Sequence, residues 1–242
     1  DICVVTADLG APVLDAFRHD FPDRYISVGI AEQNLVSVAA GLTLGRKKVV
    51  AYGLNPFPVT RAFDQIRSLM AELNIPVTLC ALNAGLCSAE CGYTHMPVED
   101  MAMMRTLSNV RTVNPTDETM ARKLAEETSF CTTPRFIRFD KSIHGRIYGK
   151  EEIDFERGFS VLGSQGASRL GIITSGCYVK ELNQWMQESG EADEMKLIDL
   201  YALPVNEKQL LAEINKCGQL LTVEENMLAG GLGSLVLEIM SD

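Results

Sequence analysis

The spacing of hydrophobic residues along the chain switches repeatedly between short apolar runs and a helical repeat. The short runs predict strands at 2–6, 25–28, 48–52, 75–82, 110–113 and 135–139. Residues at helical spacing predict helices between these strands, at 12–19, from about residue 30, and at 61–73, 98–107 and 117–128. Strands that alternate with helices in this way indicate a parallel sheet covered on both faces.

A polar, glycine-bearing stretch from residue 142 to 159 follows and is typical of a linker. Beyond it, further strands are predicted at 170–174, 195–200 and 219–223, and helices at 178–188, 207–215 and 228–240. We therefore expect an α/β protein of two doubly wound domains, residues 1–142 and 160–242, joined by a linker over 143–159. A unit of this kind normally finishes with another strand, so the second domain can be incomplete at its end.

Functional residues are expected at one edge of the first sheet, because ligands bind at the carboxyl ends of parallel strands. The loops at that edge follow Thr6, Val28, Tyr52, Leu82 and Phe139. A separate turn, Gly-Gly-Leu-Gly at 230–233, could also cradle a phosphate. It lacks the full dinucleotide fingerprint and its acidic partner, so we interpret it as a tight turn between a strand and a helix.

The stretch 28–42 contains a carboxylate among apolar neighbours. Gly29 predicts a turn, a helix begins near Ile30, and Glu32 falls in its first turn. Positions 35, 36 and 39 share a side of that helix with Glu32 and are all apolar. The helix dipole alone explains an acid in a first turn. The alternative is that Glu32 is buried because it has a chemical role.

Composition and charge exclude several classes of protein. The 242 residues carry 22 basic and 32 acidic side chains, a net charge of −10, with no basic run, which disfavours nucleic acid as a partner. The longest apolar stretch is too short to cross a membrane, and no secretory signal is visible, so we expect a cytoplasmic protein. The seven cysteines lack tight paired spacing and are expected to be reduced thiols rather than a zinc site.

Several motifs in order resemble the transketolase family, including its relative deoxyxylulose-phosphate synthase. The two longest are Gly-Ile-Ala-Glu-Gln-Asn at 29–34, preceded by Phe-Pro-Asp-Arg at 21–24, and Cys-Gly-Tyr-Thr-His-Met-Pro-Val-Glu-Asp at 91–100. Shorter matches are Ala-Asp-Leu at 7–9, Arg-Ala-Phe-Asp-Gln-Ile-Arg at 61–67, Asn-Pro-Thr-Asp-Glu at 114–118 and Phe-Ile-Arg-Phe at 136–139. These motifs fall within the first predicted domain, and we extend the resemblance to essentially the whole chain.

The resemblance implies a pyrimidine-binding domain for thiamine diphosphate, followed by a transketolase C-terminal-like domain. In this family the glutamate equivalent to Glu32 hydrogen-bonds N1′ of the cofactor's aminopyrimidine. That contact favours the tautomer whose 4′-nitrogen removes the thiazolium C2 proton. A carboxyl group in an apolar pocket is biased towards its protonated form, which suits a proton shared with a ring nitrogen.

The resemblance also implies further contacts with the cofactor. Asp8 matches a position near the cofactor, although an acid before Pro12 is also explained by the start of a helix. Phe57 or Phe63 is expected to supply the aromatic face for the pyrimidine. The sequence leaves the choice open, because prolines flank Phe57 and Phe63 fits a core stripe.

The substrate contacts follow in the same way. His95 matches the histidine that lines the substrate channel and bonds sugar hydroxyls, and Arg138 matches the arginine on the substrate's phosphate. Arg138 could instead pair with Asp140. Arg61 is also placed in the substrate site.

Three departures from the family pattern alter that site. Cys91 replaces an aspartate that reads sugar hydroxyls, and Asn83 replaces a phosphate-binding histidine or arginine. Tyr93 stands where transketolase has a proline. The donor sugar is therefore expected to be unusual.

A partner subunit is implied as well. Full-length members hold magnesium, or calcium, on the diphosphate through a Gly-Asp-Gly motif and a downstream Asn. This sequence contains no Gly-Asp-Gly. We therefore expect an amino-terminal transketolase subunit to carry the metal, with the cofactor between chains in a dimer of heterodimers.

The resulting hypothesis is the carboxy-terminal subunit of a split transketolase that moves a two-carbon ketol unit from a ketose to an aldehyde. One alternative is a synthase-like carboligase that decarboxylates a 2-oxo acid, which Arg61 and the Gly-Ile-Ala-Glu-Gln sequence favour. Another is a regulatory subunit that keeps the fold without catalysis.

Overall fold

The computed structural model describes residues 2–141 and 145–241. The strands are β1 Ile2–Thr6, β2 Tyr25–Ser27, β3 Lys48–Leu54, β4 Thr78–Leu82, β5 Arg111–Val113, β6 Arg135–Phe139, β7 Phe159–Gly163, β8 Ser168–Thr174, β9 Met195–Leu200, β10 Ala202–Leu203 and β11 Cys217–Thr222. The helices are α1 Asp15–Asp20, α2 Glu32–Leu44, α3 Phe57–Thr60, α4 Phe63–Gln65, α5 Asp100–Met104, α6 Glu118–Thr128, α7 Tyr178–Ser189, α8 Glu207–Ile214 and α9 Leu232–Ser241.

Within the described residues, the first sheet has seven strands in the order β10-β5-β6-β4-β3-β1-β2. The pairs among β1 to β6 are all parallel, as the sequence predicts. The edge strand β10 is antiparallel to β5 and comes from the second half of the chain. The α/β class is therefore confirmed, but the sheet is mixed and is completed by residues from outside the predicted first domain.

One face of this sheet packs against α2 and the helical segment that follows α3. Leu35, Val36 and Ala39 of α2 are buried there, together with Ile66 and Met70. The segment Ile66–Ala71 continues α4 as a π-helix, so the predicted helix at 61–73 is shortened to 63–71 and changes type within that range. Leu73, which the helical repeat places on the apolar stripe, is 58% exposed because the helix ends before it.

The second sheet, counted over the described residues, has four strands in the order β11-β8-β9-β7. Strands β8, β9 and β11 are parallel, and β7 is antiparallel to β9. The sequence pattern does not predict β7, because the predicted linker extends through its first residue, Phe159. None of the helices in the described part of the chain is both long and apolar enough to cross a membrane.

The segment predicted as a linker contributes several residues to the core. Tyr148, Ile153 and Phe155 are buried against β3, β6 and Tyr201 in one cluster, and a short 3-10 helix covers Lys150–Glu152. The apolar side chains here are too widely spaced to show a periodicity, so the sequence pattern gives no sign of their burial. The predicted domain boundary at 142/143 lies outside the described residues.

Buried polar contacts join the two halves of the chain. Asp199 of β9 accepts hydrogen bonds from Thr116 Oγ1 at 2.6 Å and from the Tyr148 hydroxyl at 2.9 Å. Asp117 caps α6 through Met120 N–H and also accepts the backbone N–H groups of 147 and 148. Because these groups are hydrogen-bonded out of water, they fix how the halves meet.

Burial of Asp199 generates a prediction for the pH dependence of stability. Burial raises the pKa of Asp199 from 3.8 to about 7, although the Thr116 and Tyr148 hydrogen bonds oppose the shift. The protonated acid therefore stabilises the folded state, and the free energy of unfolding falls as the pH rises from 3.8 to about 7. Urea unfolding measured between pH 4 and 8 should show that the free energy of unfolding falls less with pH in Asp199→Asn than in the wild type.

The exposed Asp193 provides the matched control, since Asp193→Asn should keep the wild-type pH profile. A profile of Asp199→Asn that is as steep as that of the wild type would contradict this assignment.

Candidate functional site

The carboxyl edge of the first sheet brings several of the candidate residues near one another. Parallel strands end at the same edge, so the loops after β1, β2, β3 and β4 lie side by side. These loops lead to Asp8, Glu32, Phe57 and Asn83 respectively. The edge is thus the part of the molecule that the sequence predicts for ligands.

Glu32 is the first residue of α2 and is buried, with 7% of its surface exposed. Gly29, at a φ of 72°, turns the chain between β2 and α2, a left-handed conformation that favours glycine. The sequence predicts a helix start near Ile30. The helix begins two residues later, at Glu32, and Ile30 lies in the preceding turn with 76% of its surface exposed. A free first-turn amide and the helix dipole favour the charge of Glu32, but neither explains why the side chain is turned away from water.

Arg61 is the partner of the buried carboxylate. Its Nη1 donates to Glu32 Oε1 at 3.3 Å and to Oε2 at 3.2 Å. The Arg61 side chain is 52% exposed, whereas that of Glu32 is 8% exposed. The pair therefore connects a buried acid to the surface of the site.

An aromatic contact extends the same set of residues. The guanidinium carbon of Arg61 lies 4.2 Å from the centroid of the Phe57 ring. That ring meets His95 edge to face, with 5.1 Å between the ring centroids. Glu32, Arg61, Phe57 and His95 thus form a continuous series of contacts, and three of these four side chains are predicted cofactor or catalytic residues.

A pocket of about 390 Å³ opens beside this series. Phe57 and Arg61 line it together with Tyr93, Glu99 and Met103. The Tyr93 hydroxyl donates to the Glu99 carboxylate. The pocket is mostly apolar with a few polar groups at its rim, as small-molecule sites are.

The choice between Phe57 and Phe63 is narrowed by their surroundings. Phe63 is half-buried and packs against the core beside α2, which agrees with the core stripe that the sequence allows. Phe57 presents a ring face to Arg61, the residue that pairs with the Glu32 carboxylate.

Asp8 is exposed after β1, in a left-handed conformation with a φ of 55°.

The residues that depart from the family pattern lie after β4. Asn83, also left-handed at a φ of 65°, donates from Nδ2 to Ser88 Oγ at 2.9 Å. Cys91 is exposed at the end of a short 3-10 helix, Ala89–Cys91. Both remain predicted substrate contacts.

Arg138 is buried in a network of polar contacts. Its side chain is 4% exposed, and its Nε donates to Asp100 Oδ2 at 2.8 Å. Its Nη2 donates to Asn226 Oδ1 at 3.0 Å and to the Pro97 carbonyl at 3.5 Å. Its ion-pair partner is Asp100 rather than Asp140, and Arg138 remains a predicted contact for the substrate's phosphate.

Asp100 and Asn55 are buried residues that sequence reasoning did not single out. Asp100 is fully buried and also accepts Asn55 Nδ2 at 2.6 Å and its neighbour's N–H, from Met101, at 2.7 Å. Asp100 is 45 residues from Asn55 and 38 from Arg138, so no local spacing reveals the network. The one available sign was an acid next to the Pro-Val-Glu sequence.

One cluster of ligand-type side chains and one further carboxylate lie where the two halves of the chain meet. Asp140, Cys177 and Glu225 place their ligand atoms within 4.8 Å of one another, and burial raises the pKa of Asp140 to about 6 despite nearby Arg138. In the turn at 230–233, Leu232 and Gly233 donate their N–H groups to Glu224 at 2.6 and 2.7 Å. The Glu224 carboxylate thus accepts the backbone N–H groups that would otherwise be available to a phosphate, as expected for a structural turn.

The buried ion pair generates a prediction for stability. Asp100→Ala leaves the Arg138 charge buried without its carboxylate, which should cost about 3–5 kcal/mol in the free energy of unfolding. Replacing both partners, in Asp100→Ala with Arg138→Met, should cost clearly less than the sum of the two single changes. Chemical denaturation of the four proteins measures this coupling.

A strictly additive cycle would contradict the pairing. The exposed pair of Arg67 and Asp64 is the matched control, and its coupling should be below about 1 kcal/mol.

Comparison with known proteins adds to this geometry. Residues 1–145 match the family described as transketolase, pyrimidine binding domain. The chain is 30% identical over 246 residues to the B subunit of apulose-4-phosphate transketolase from Actinobacillus succinogenes, covering 100% of this chain and 78% of the relative. It is 31% identical over 245 residues to the 1-deoxy-D-xylulose-5-phosphate synthase of Symbiobacterium thermophilum, covering 98% of this chain and 37% of that protein.

A solved structure of a transketolase is also similar to this chain. The inactive β4 tetramer of a split-gene transketolase superposes with a TM-score of 0.83 at 30% identity. The match covers 99% of this chain and 78% of that chain. The similarity therefore extends through both sheets and is not confined to the first.

Proposed function

The chain belongs to the transketolase family, and from that premise we propose that it is the pyrimidine-binding subunit of a two-chain enzyme dependent on thiamine diphosphate. The enzyme would transfer a two-carbon ketol unit from an anionic ketose to an aldehyde. The observation that carries the proposal is the buried Glu32 carboxylate, which Arg61 links to the half-buried ring of Phe57.

The residues present fit the pyrimidine end of that cofactor. Glu32 offers a carboxylate shielded from water, and Phe57 offers a ring for stacking. The contact of a planar, nitrogen-bearing guanidinium with both groups supports the fit, because a protonated aminopyrimidine has the same flat shape and N–H donors. Phe63 is the weaker candidate for stacking because it packs into the core.

When bound, thiamine diphosphate supplies a carbon nucleophile and an electron sink for cleavage of the ketose. The task of Glu32 is to hold a proton at N1′ of the pyrimidine in a water-poor setting, where such a bond is strong. His95, whose ring meets Phe57, is proposed to orient substrate hydroxyls. Its Nδ1 lies 3.0 Å from Thr94 Oγ1, which limits the rotation of the imidazole.

A second polypeptide is proposed to hold the diphosphate and its magnesium or calcium ion. Support comes from the apulose-4-phosphate transketolase relative, whose name describes one subunit of an enzyme, and from the split-gene transketolase, each matched along 78% of its length. We propose a dimer of heterodimers with one cofactor at each junction. The substrate class to test first is a ketose phosphate, because the name of the first relative specifies apulose 4-phosphate.

The test uses the chain assembled with its partner subunit. Titration calorimetry with thiamine diphosphate and Mg²⁺ should show binding to the complex. Glu32→Gln should lower kcat by about 10²–10⁴-fold, because it removes the group that exchanges the pyrimidine proton. Glu118→Gln, another acid in a first helical turn but an exposed one, should leave kcat unchanged.

Undiminished turnover in Glu32→Gln would contradict the role of the carboxylate. No cofactor binding by the intact complex would overturn the proposed function and would favour a regulatory subunit.

The second candidate function is a decarboxylating carboligase. The synthase relative and the Arg61 sequence favour it. The two reactions differ in one product, since decarboxylation of a 2-oxo acid releases carbon dioxide and ketol transfer does not. We expect no carbon dioxide when the complex is given pyruvate and an aldehyde phosphate; its release would favour the synthase.

A further inference from the structure

Arg61 contacts the two groups that the proposed function assigns to the aminopyrimidine. Its Nη1 lies 3.2 and 3.3 Å from the carboxylate oxygens of Glu32, and its guanidinium lies over the ring of Phe57. A guanidinium is planar, donates N–H bonds to carboxylates and stacks on aromatic rings. These are also the properties by which a protonated aminopyrimidine would be recognised.

We propose that Arg61 is a built-in competitor for the cofactor, holding Glu32 and Phe57 in the cofactor-free chain and releasing both when the pyrimidine binds. The inference rests on the proposed function, because it takes Glu32 and Phe57 as contacts of that ring. Two flat groups cannot occupy one face of Phe57 and one carboxylate at the same time. The free energy of cofactor binding is then the difference between two terms. One is the free energy of the contacts with the pyrimidine, and the other is that of the contacts with Arg61.

The geometry of the ion pair makes Arg61 displaceable. A single nitrogen bridges both carboxylate oxygens, at distances near the long end of the hydrogen-bond range, and the parallel two-bond fork is not formed. The side chain is 52% exposed, so water can solvate the guanidinium once it leaves. Glu32 has no such access to water, at 8% exposed, and therefore needs a replacement partner.

The position of Arg61 in the fold allows this movement. Arg61 is exposed and is the C-cap residue that follows α3, and its backbone N–H donates to the Phe57 carbonyl. Phe57 and Arg61 are therefore fixed relative to each other at the backbone, while the long Arg61 side chain can rotate outward. Glu32, at the start of α2 with its neighbours packed in the core, stays in place.

Calorimetric titration of the assembled complex with thiamine diphosphate and Mg²⁺ tests the inference without measuring activity. Arg61→Met removes the competing cation and should tighten cofactor binding by about three- to tenfold, the range expected for a half-exposed ion pair with a cation–π contact. Arg61→Lys keeps the charge but loses the planar fork. Its affinity for the cofactor should therefore lie between that of the wild type and that of Arg61→Met. Arg67→Met, a change at an exposed surface pair, should match the wild type.

The thermal stability of the isolated chain gives a second readout. Without cofactor, Arg61→Met should melt at a lower temperature than the wild type, because Glu32 loses its cation.

Unchanged or weaker cofactor binding in Arg61→Met would overturn the inference, since it would make Arg61 a bystander or a group that supports the bound ring. Arg61→Lys gives the same decision if the methionine variant folds poorly. Failure of the wild-type complex to bind the cofactor would instead overturn the proposed function itself. The two failures are therefore distinguishable.

Discussion

The candidate site depends on one constraint, the removal of the Glu32 carboxylate from water. Its helix begins after a left-handed glycine and packs Leu35, Val36 and Ala39 into the core, so the start of α2 cannot rotate to expose the acid. A carboxylate in this position must be neutralised or paired. The chain supplies Arg61, and the proposed cofactor would supply a ring nitrogen. Arg61 and Phe57 therefore have the roles of the present partner of Glu32 and the proposed stacking surface for the ring.

The second half of the chain contacts β5 and the loops at the carboxyl edge of the first sheet. Strand β10 extends the first sheet, and Asn226 holds the Arg138 guanidinium from the far side of the seam. The Glu225 carboxylate accepts the Leu86 N–H at 3.1 Å in the loop after β4. Loops at the edge of the first sheet are thus tied to a separate sheet. Precise placement of catalytic groups requires such support.

The sequence predicts most of the strands, although not β7 or β10, together with the sheet edge and the position of Glu32 near a helix start, because hydrophobic period and strand direction are local properties. It could not reach the partners of Glu32 or Arg138, since 29 and 38 residues separate the paired side chains. The burial of Tyr148 and Phe155 in a polar stretch was missed for a related reason: isolated aromatics have no period. Arg61 was placed near the site through the resemblance, and its contact with Glu32 emerged only from the fold.

The central claim is that Glu32 is buried to hold the pyrimidine of thiamine diphosphate. A crystal structure of the chain with its partner subunit, thiamine diphosphate and Mg²⁺ tests this most directly, through the distance between the Glu32 carboxylate and N1′. We predict a hydrogen bond of about 2.6–3.2 Å, with the ring stacked on Phe57. A pyrimidine bound elsewhere, with Glu32 away from N1′, would contradict the account.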